Sequence, residues 1–205
     1  MSSKYLNDFR WNFTSENGED GVLEEIFRRI GKRNEWLCDV GAWDGLIASN
    51  THRLIKQGWQ GVLIESSPER CGMIGGERVV PLCVLVEHVG PRTLDLVLAG
   101  TSIPQDFDLL CIDTDDWDAM LWASLIHYQP HVVVIEVNSS FAPGEGQHLP
   151  RRWNQTITSA VELGKEKGYE LALHTGNAIF VRREHAVTLG IDVENWHELF
   201  DRGWL

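Results

Sequence analysis

Polar residues of four types stand where apolar runs of this 205-residue chain give out, and their spacing points to ligand chemistry. In Leu37-Cys-Asp-Val-Gly-Ala-Trp-Asp-Gly45 an acid, Asp39, sits beside the tip of a short strand. Gly41 and Gly45 then let the backbone of the following turn approach a bound molecule. The next apolar run also ends in an acid, Glu65, 26 residues after Asp39. In open α/β sheets ligands bind at the carboxyl ends of the strands, and a carboxylate at that point can accept both hydroxyls of a ribose. The pair suits NAD and S-adenosylmethionine equally.

The details favour the second. A dinucleotide needs G-x-G-x-x-G, with the helix N-terminus receiving the pyrophosphate. Here the spacing is Gly41-x-x-x-Gly45, with bulky Trp43 where the middle glycine would stand. Asp39 and Asp44 repel a pyrophosphate but suit a sulfonium and an ammonium group; the plainer reading makes Asp44-Gly45 a simple turn. Asn50, Thr51, Ser66 and Asp113 complete the expected cofactor set.

Further along, Asp113 ends the fourth apolar run, and Glu136 and Asn138 end the fifth. Residues i and i+2 of a strand point the same way, so Glu136 and Asn138 can face one point, joined by Asp113 if the two strands are neighbours. Two carboxylates and an amide oxygen make a site for Mg²⁺ or another hard divalent cation. The competing reading is that they bind substrate directly or orient the next loop. Asp113 and Asp116 are candidate bases, although Asp116 also suits a first-turn acid facing a helix dipole. His148, in a Gly/Pro-bearing loop, is a candidate acceptor-site residue or a plain surface histidine.

These residues must be positioned by alternating strands and helices. Val22, Leu23, Ile26, Phe27 and Ile30 predict a helix from about Glu19, capped by Asn17-Gly-Glu-Asp20 and stopped by Gly31. Strands are predicted at 36–40, 61–65, 79–86, 107–113 and 131–138. Helices are predicted after Ser49-Asn-Thr51, through Trp117, Met120, Leu121 and Leu125, and over 156–167. Nearly all-apolar strands separated by helices imply a parallel sheet covered on both faces. Runs 170–174 and 178–182 are separated only by Thr175-Gly-Asn177, too short for a crossover, and must form an antiparallel hairpin. The expectation is an α/β, Rossmann-like, mostly parallel seven-stranded sheet in one domain spanning 1–205. An N-terminal helical segment covers 1–35 and a tail 184–205, where Trp196, Leu199 and Phe200 predict a short amphipathic helix for packing or a homodimer contact.

Net charge is −12, which repels polyanions and argues against nucleic-acid partners. The first residues lack an apolar leader, and no run approaches membrane-spanning length. Cys38, Cys83 and Cys111 lie in apolar runs, and no C-x-x-C pair occurs, so the expectation is buried thiols in a cytoplasmic protein. Nine tryptophans, several beside turns, read as rim packing or as aromatic walls around a ligand. His174, beside the hairpin turn, reads as structural.

Several segments resemble the FkbM-type methyltransferase family in matching order from about residue 15 to 183. They include Ser15-Glu-Asn-Gly-Glu-Asp20, Gly41-Ala-Trp-Asp-Gly45, Gly58-Trp-Gln-Gly-Val-Leu-Ile-Glu65, Phe107-Asp-Leu-Leu-Cys-Ile-Asp113, Pro130–Asn138 and Phe141-Ala-Pro-Gly-Glu145. The resemblance implies a class I fold whose sheet ends in an antiparallel hairpin, with S-adenosylmethionine as methyl donor. It implies that Asp39, Gly41 and Gly45 line the methionine end and that Glu65 holds the ribose. The chain departs from the family at Glu16, where Gln is common, and at Asp113-Thr-Asp-Asp116, where Asp-x-Asp-Gly is common. The trio Asp113, Glu136 and Asn138 is similar to the metal site of catechol-type O-methyltransferases, which carry an adjacent Asp-Asn pair. The implied reaction is methyl transfer to oxygen, less readily nitrogen, of a small molecule, sugar or modified peptide in natural-product or glycan tailoring. The alternatives are a nicotinamide-dependent oxidoreductase and a non-catalytic S-adenosylmethionine-binding protein.

Overall fold

The computed structural model describes residues 3–84, 93–115, 117–146 and 155–204. A seven-stranded sheet forms its middle: β1 Trp36–Val40, β2 Gln60–Glu65, β3 Val79–Cys83, β4 Leu109–Ile112, β5 Val132–Glu136, β6 Tyr169–His174 and β7 Asn177–Arg182. Their order is β3-β2-β1-β4-β5-β7-β6. The first five run parallel, and β7 is antiparallel to both β5 and β6, as the three-residue hairpin connection requires. Chain order reverses between β1 and β4, so the turns leaving those strands diverge and open a crevice.

The helices are α1 Glu19–Ile30, α2 His52–Lys56, α3 Pro68–Cys71, α4 Thr93–Ala99, α5 Asp118–Ser124, α6 Ile157–Glu166 and α7 Ala186–Leu189. Alternating strand residues feed two cores. One face packs Val40, Ile64, Ile112 and Val133 with Trp122, Phe180 and Ile157. The other packs Leu37, Leu63, Leu109 and Val134 with Leu23, Ile26, Phe27 and Trp59.

Three local details differ from the sequence-based expectation. Gly18 takes the N-cap position of α1 in a left-handed conformation, and no side chain caps the helix. The Asp20 carboxylate instead accepts the backbone N–H groups of Phe13, Thr14 and Ser15 at 2.8–2.9 Å, so it folds the preceding loop. The third strand ends at Cys83, with residues 85–86 outside the described ones. Cys83 is exposed because β3 is an edge strand, so the buried-thiol expectation holds only for Cys38 and Cys111. The tail forms short helical turns, α7 and 3-10 turns at Trp196–Leu199 and Arg202–Trp204, rather than one amphipathic helix.

His174 is structural, as expected. It is fully buried and stacks on Phe200, with ring centroids 4.7 Å apart. Ser139 Oγ lies 2.9 Å from Nε2, and the Asp201 N–H donates to Nδ1. Desolvation pushes its pKa down to about 4, which keeps the ring neutral. No helix among the described residues is long and apolar enough to cross a membrane.

Asp108, fully buried before β4, ties β1 to β4 from below. Its carboxylate accepts the N–H groups of Arg33, Asn34 and Glu35 at 2.7–3.1 Å. Replacing it leaves three donors without their partner. Asp108→Ala is expected to cost about 3 kcal/mol in urea denaturation, with Asp108→Asn intermediate.

Candidate active site

A cleft of about 520 Å³ lies over the C-terminal ends of the central strands. Its floor is set by the backbone. Gly41, at φ 84°, donates its N–H to Ile64 O across the sheet, and Asp113 donates to Val40 O. A β-carbon on Gly41 would stand 1.7 Å from the Asp113 carbonyl oxygen, so only glycine fits. This junction closes the tips of β2, β1 and β4 around one space.

Glu65 is buried, and its two oxygens accept the N–H groups of Trp43 (2.9 Å) and Ser67 (2.8 Å). A carboxylate has about four acceptor positions, so capacity remains for hydroxyls at the cleft. Trp43, itself at φ 51°, forms part of the wall, and the Arg70 guanidinium covers its ring 3.2 Å from the centroid. Asp39 is buried and accepts from Thr51 Oγ1 at 2.6 Å, while desolvation pushes its carboxyl up to about 6. Asn50 adds a polar atom to the same wall: its Oδ1 is buried with no hydrogen-bond partner among the described residues.

Asp39, Gly41, Trp43, Asn50, Glu65, Ser66 and Asp113 thus meet in one cleft. Asp44, Gly45 and Thr51 do not line it. Asp44 Oδ1 accepts the N–H groups of Leu46 and Ile47, which makes it a turn former. Gly45 turns to the opposite face, where a β-carbon would meet Leu63 and Ile74; both residues line a separate groove there. Thr51 is fully buried behind the wall and reaches the cleft only through Asp39.

On the other side of the cleft, Asp113 leaves β4 and faces solvent, yet its carboxyl is pushed up to about 7. Desolvation by the cleft walls comes first, followed by the negative charges of Asp118, Asp115, Asp39 and Glu16. Asp115, at φ 64°, folds the chain back so that carboxylate oxygens of Asp113, Asp115 and Glu136 lie within 4.8 Å of one another. Asn138 is not in this group. β5 ends at Glu136, so strand alternation no longer applies two residues on, and Asn138 Oδ1 accepts the Ser140 N–H at 3.2 Å. Asp116 and His148 lie outside the described residues. Sequence reasoning missed Asp115, Ser67 and Arg70; only the Asp-rich run Asp113-Thr-Asp-Asp116 carried a signal for the first.

The aromatic expectation divides. Trp59 and Trp122 are fully buried core, whereas Trp43 and Trp117 line the cleft.

A sheet ordered 3-2-1-4-5-7-6 with only its seventh strand reversed decides the architecture. The fold is that of the class I methyltransferases. The O-methyltransferase of Bacillus cereus in complex with SAH matches at a TM-score of 0.54 and 13% identity, over 87% of this chain and 87% of its own. The SAH-bound methyltransferase PaMTH1 of Podospora anserina matches at 0.51 and 15% identity, over 88% and 85% respectively. No family model and no curated protein sequence matches the chain.

The buried acid at the cleft has a consequence for stability. The folded protein holds the Asp39 proton more tightly than the unfolded chain, so Asp39 lowers stability as pH rises from about 4 to about 6, and the loss persists above that. Asp39→Asn keeps an acceptor for Thr51 and removes the buried charge. It is expected to stabilise the protein at pH 8 by on the order of 1–3 kcal/mol, and to leave it unchanged at pH 3, in denaturant titrations.

Proposed function

We propose that this protein is an S-adenosylmethionine-dependent methyltransferase of the FkbM type, acting on an oxygen of a small molecule, sugar or modified peptide. The observation that carries this reading is the cleft's pairing of Glu65 with Asp39 and Asn50 on opposite sides of the Gly41 turn. Glu65 keeps acceptor capacity for the two ribose hydroxyls. Asp39 and the unpartnered Asn50 Oδ1 suit the ammonium and sulfonium end. The bound donor would supply a methyl group already activated by its positive sulfur, so the protein's task is alignment and proton removal.

Asp113 is placed for the second task. A carboxylate that titrates near 7 can take a hydroxyl proton at neutral pH, and it stands where an acceptor would enter. The oxygen gains the methyl group, the donor leaves as its thioether, and the hydroxyl proton passes to Asp113. The clustered oxygens of Asp113, Asp115 and Glu136 also suit Mg²⁺, a hard cation that would acidify the hydroxyl. Asp115 takes the position in this set that Asn138 was expected to fill.

A cytoplasmic location and freedom from nucleic-acid and membrane partners belong to the same proposal, and so does homodimerisation through the tail. A nicotinamide enzyme is disfavoured by Trp43, whose side chain stands where a pyrophosphate-binding turn needs glycine.

Calorimetry tests the donor. S-adenosylmethionine and S-adenosylhomocysteine are expected to bind and NAD is not; NAD binding with no response to the other two would overturn the reading. Glu65→Ala removes two charge-assisted hydrogen bonds and is expected to weaken donor binding about 100-fold. Once an acceptor is found, chelation followed by Mg²⁺ add-back separates metal-assisted transfer from Asp113 acting alone.

A further inference from the structure

The end of the sheet remote from the cleft holds a second cluster of ligating groups. His131 immediately precedes β5, and Glu184 and His185 follow β7. The antiparallel pairing of these strands, with Val132 opposite Val181, brings the three together. His131 Nδ1 and His185 Nε2 lie 2.9 Å apart, and Glu184 Oε1 is 3.6 Å from the same His185 nitrogen. One ligand atom from each residue falls within 4.8 Å of the others.

We propose that His131, Glu184 and His185 form a binding site for a divalent transition-metal ion, with zinc the best match. Two imidazoles and one carboxylate are a zinc donor set, and the fourth tetrahedral position would go to water. Ligating nitrogens around tetrahedral zinc stand about 3.3 Å apart, so the two rings need to open by only a few tenths of an ångström.

Two features beyond the spacing support this. His131 is 8% exposed, and its remaining nitrogen, Nε2, is buried without a hydrogen-bond partner among the described residues. A histidine kept for packing alone normally has both nitrogens satisfied, whereas the ring partner of His131 is another imidazole. Burial also pushes both histidines' pKa values down, so each ring is neutral and can offer a lone pair. Arg182 opposes the ion with its charge. Its Nε is anchored on the Pro130 carbonyl, and its contact with Glu184 is a long 3.8 Å, so the exposed Glu184 side chain can turn to the metal.

Such an ion would bridge the start of β5 to the segment leaving β7. It would pin the turn Arg183–His185 and α7 to the sheet, a strand length of about 16 Å from the cleft. Its role is structural and independent of methyl transfer.

Zinc titrated calorimetrically into the full chain is expected to bind one equivalent and to raise the melting temperature. His185→Ala, at the rim of the cluster, is expected to weaken zinc at least about tenfold and abolish the thermal shift, and His131→Gln to do the same. Asp115→Asn, which alters the carboxylate cluster of the cleft, is expected to leave both unchanged. Cobalt added in place of zinc is expected to give the visible absorption of a tetrahedral site in the parent and not in His185→Ala. Equal zinc affinity in the parent and His185→Ala, loss confined to Asp115→Asn, or no zinc binding would each overturn the proposal.

Discussion

The approach of the Gly41 backbone to the Asp113 carbonyl, with no room for a β-carbon between them, is the constraint on which the cleft depends. Hydrogen bonds from Gly41 to Ile64 and from Asp113 to Val40 extend it across three strand tips. Asp39, Glu65 and Asp113 therefore hang from one rigid ledge, and their separations follow from sheet geometry rather than from loop conformation. Asp108 holds the same strands from the opposite end, so the ledge is fixed at both of its supports.

Rigidity of this kind crowds negative charge. Asp39 and Asp113 both titrate well above ordinary carboxylates, and neither has a cationic side-chain partner bonded to it. The nearest guanidinium wall, Arg70, is spent on the Trp43 ring. A folded chain carries such a penalty when the groups serve a ligand that relieves it. An ammonium, a sulfonium or a divalent cation would each do so, which is why the electrostatics of the cleft and the proposed donor agree.

The sheet and its hairpin were legible because they rest on local facts: apolar run length and a connection too short for a crossover. The acids at strand tips were legible for the same reason, since Asp39, Glu65 and Asp113 are placed by the strands they end. What sequence could not supply was direction after a strand stops. Asn138 was read by strand alternation two residues beyond the end of β5, while Asp115 joins the cluster through a left-handed turn that no side-chain pattern announces. Asp44 and Gly45 were assigned to the ligand from their place in a glycine turn, yet the turn rotates them to the other face. Asp20 looked like a cap and fastens a loop instead, because the N–H groups within its reach are those of Phe13, Thr14 and Ser15.

The edges of the sheet bear on how this protein meets others. Along β3 the even-numbered residues bond to β2, through Arg78 O and Val84 N, leaving Val79, Pro81 and Cys83 facing outward. The Val79 N–H is already given to Gly76 O, and Pro81 has none, so that rim offers a single backbone donor, at Cys83. At the other rim β6 is buried at every residue, with the turns Ser3–Phe9 and Trp196–Leu199 packed against it. Neither border can template an incoming strand. A partner of this protein must therefore read its side chains, because its backbone has almost nothing left to share.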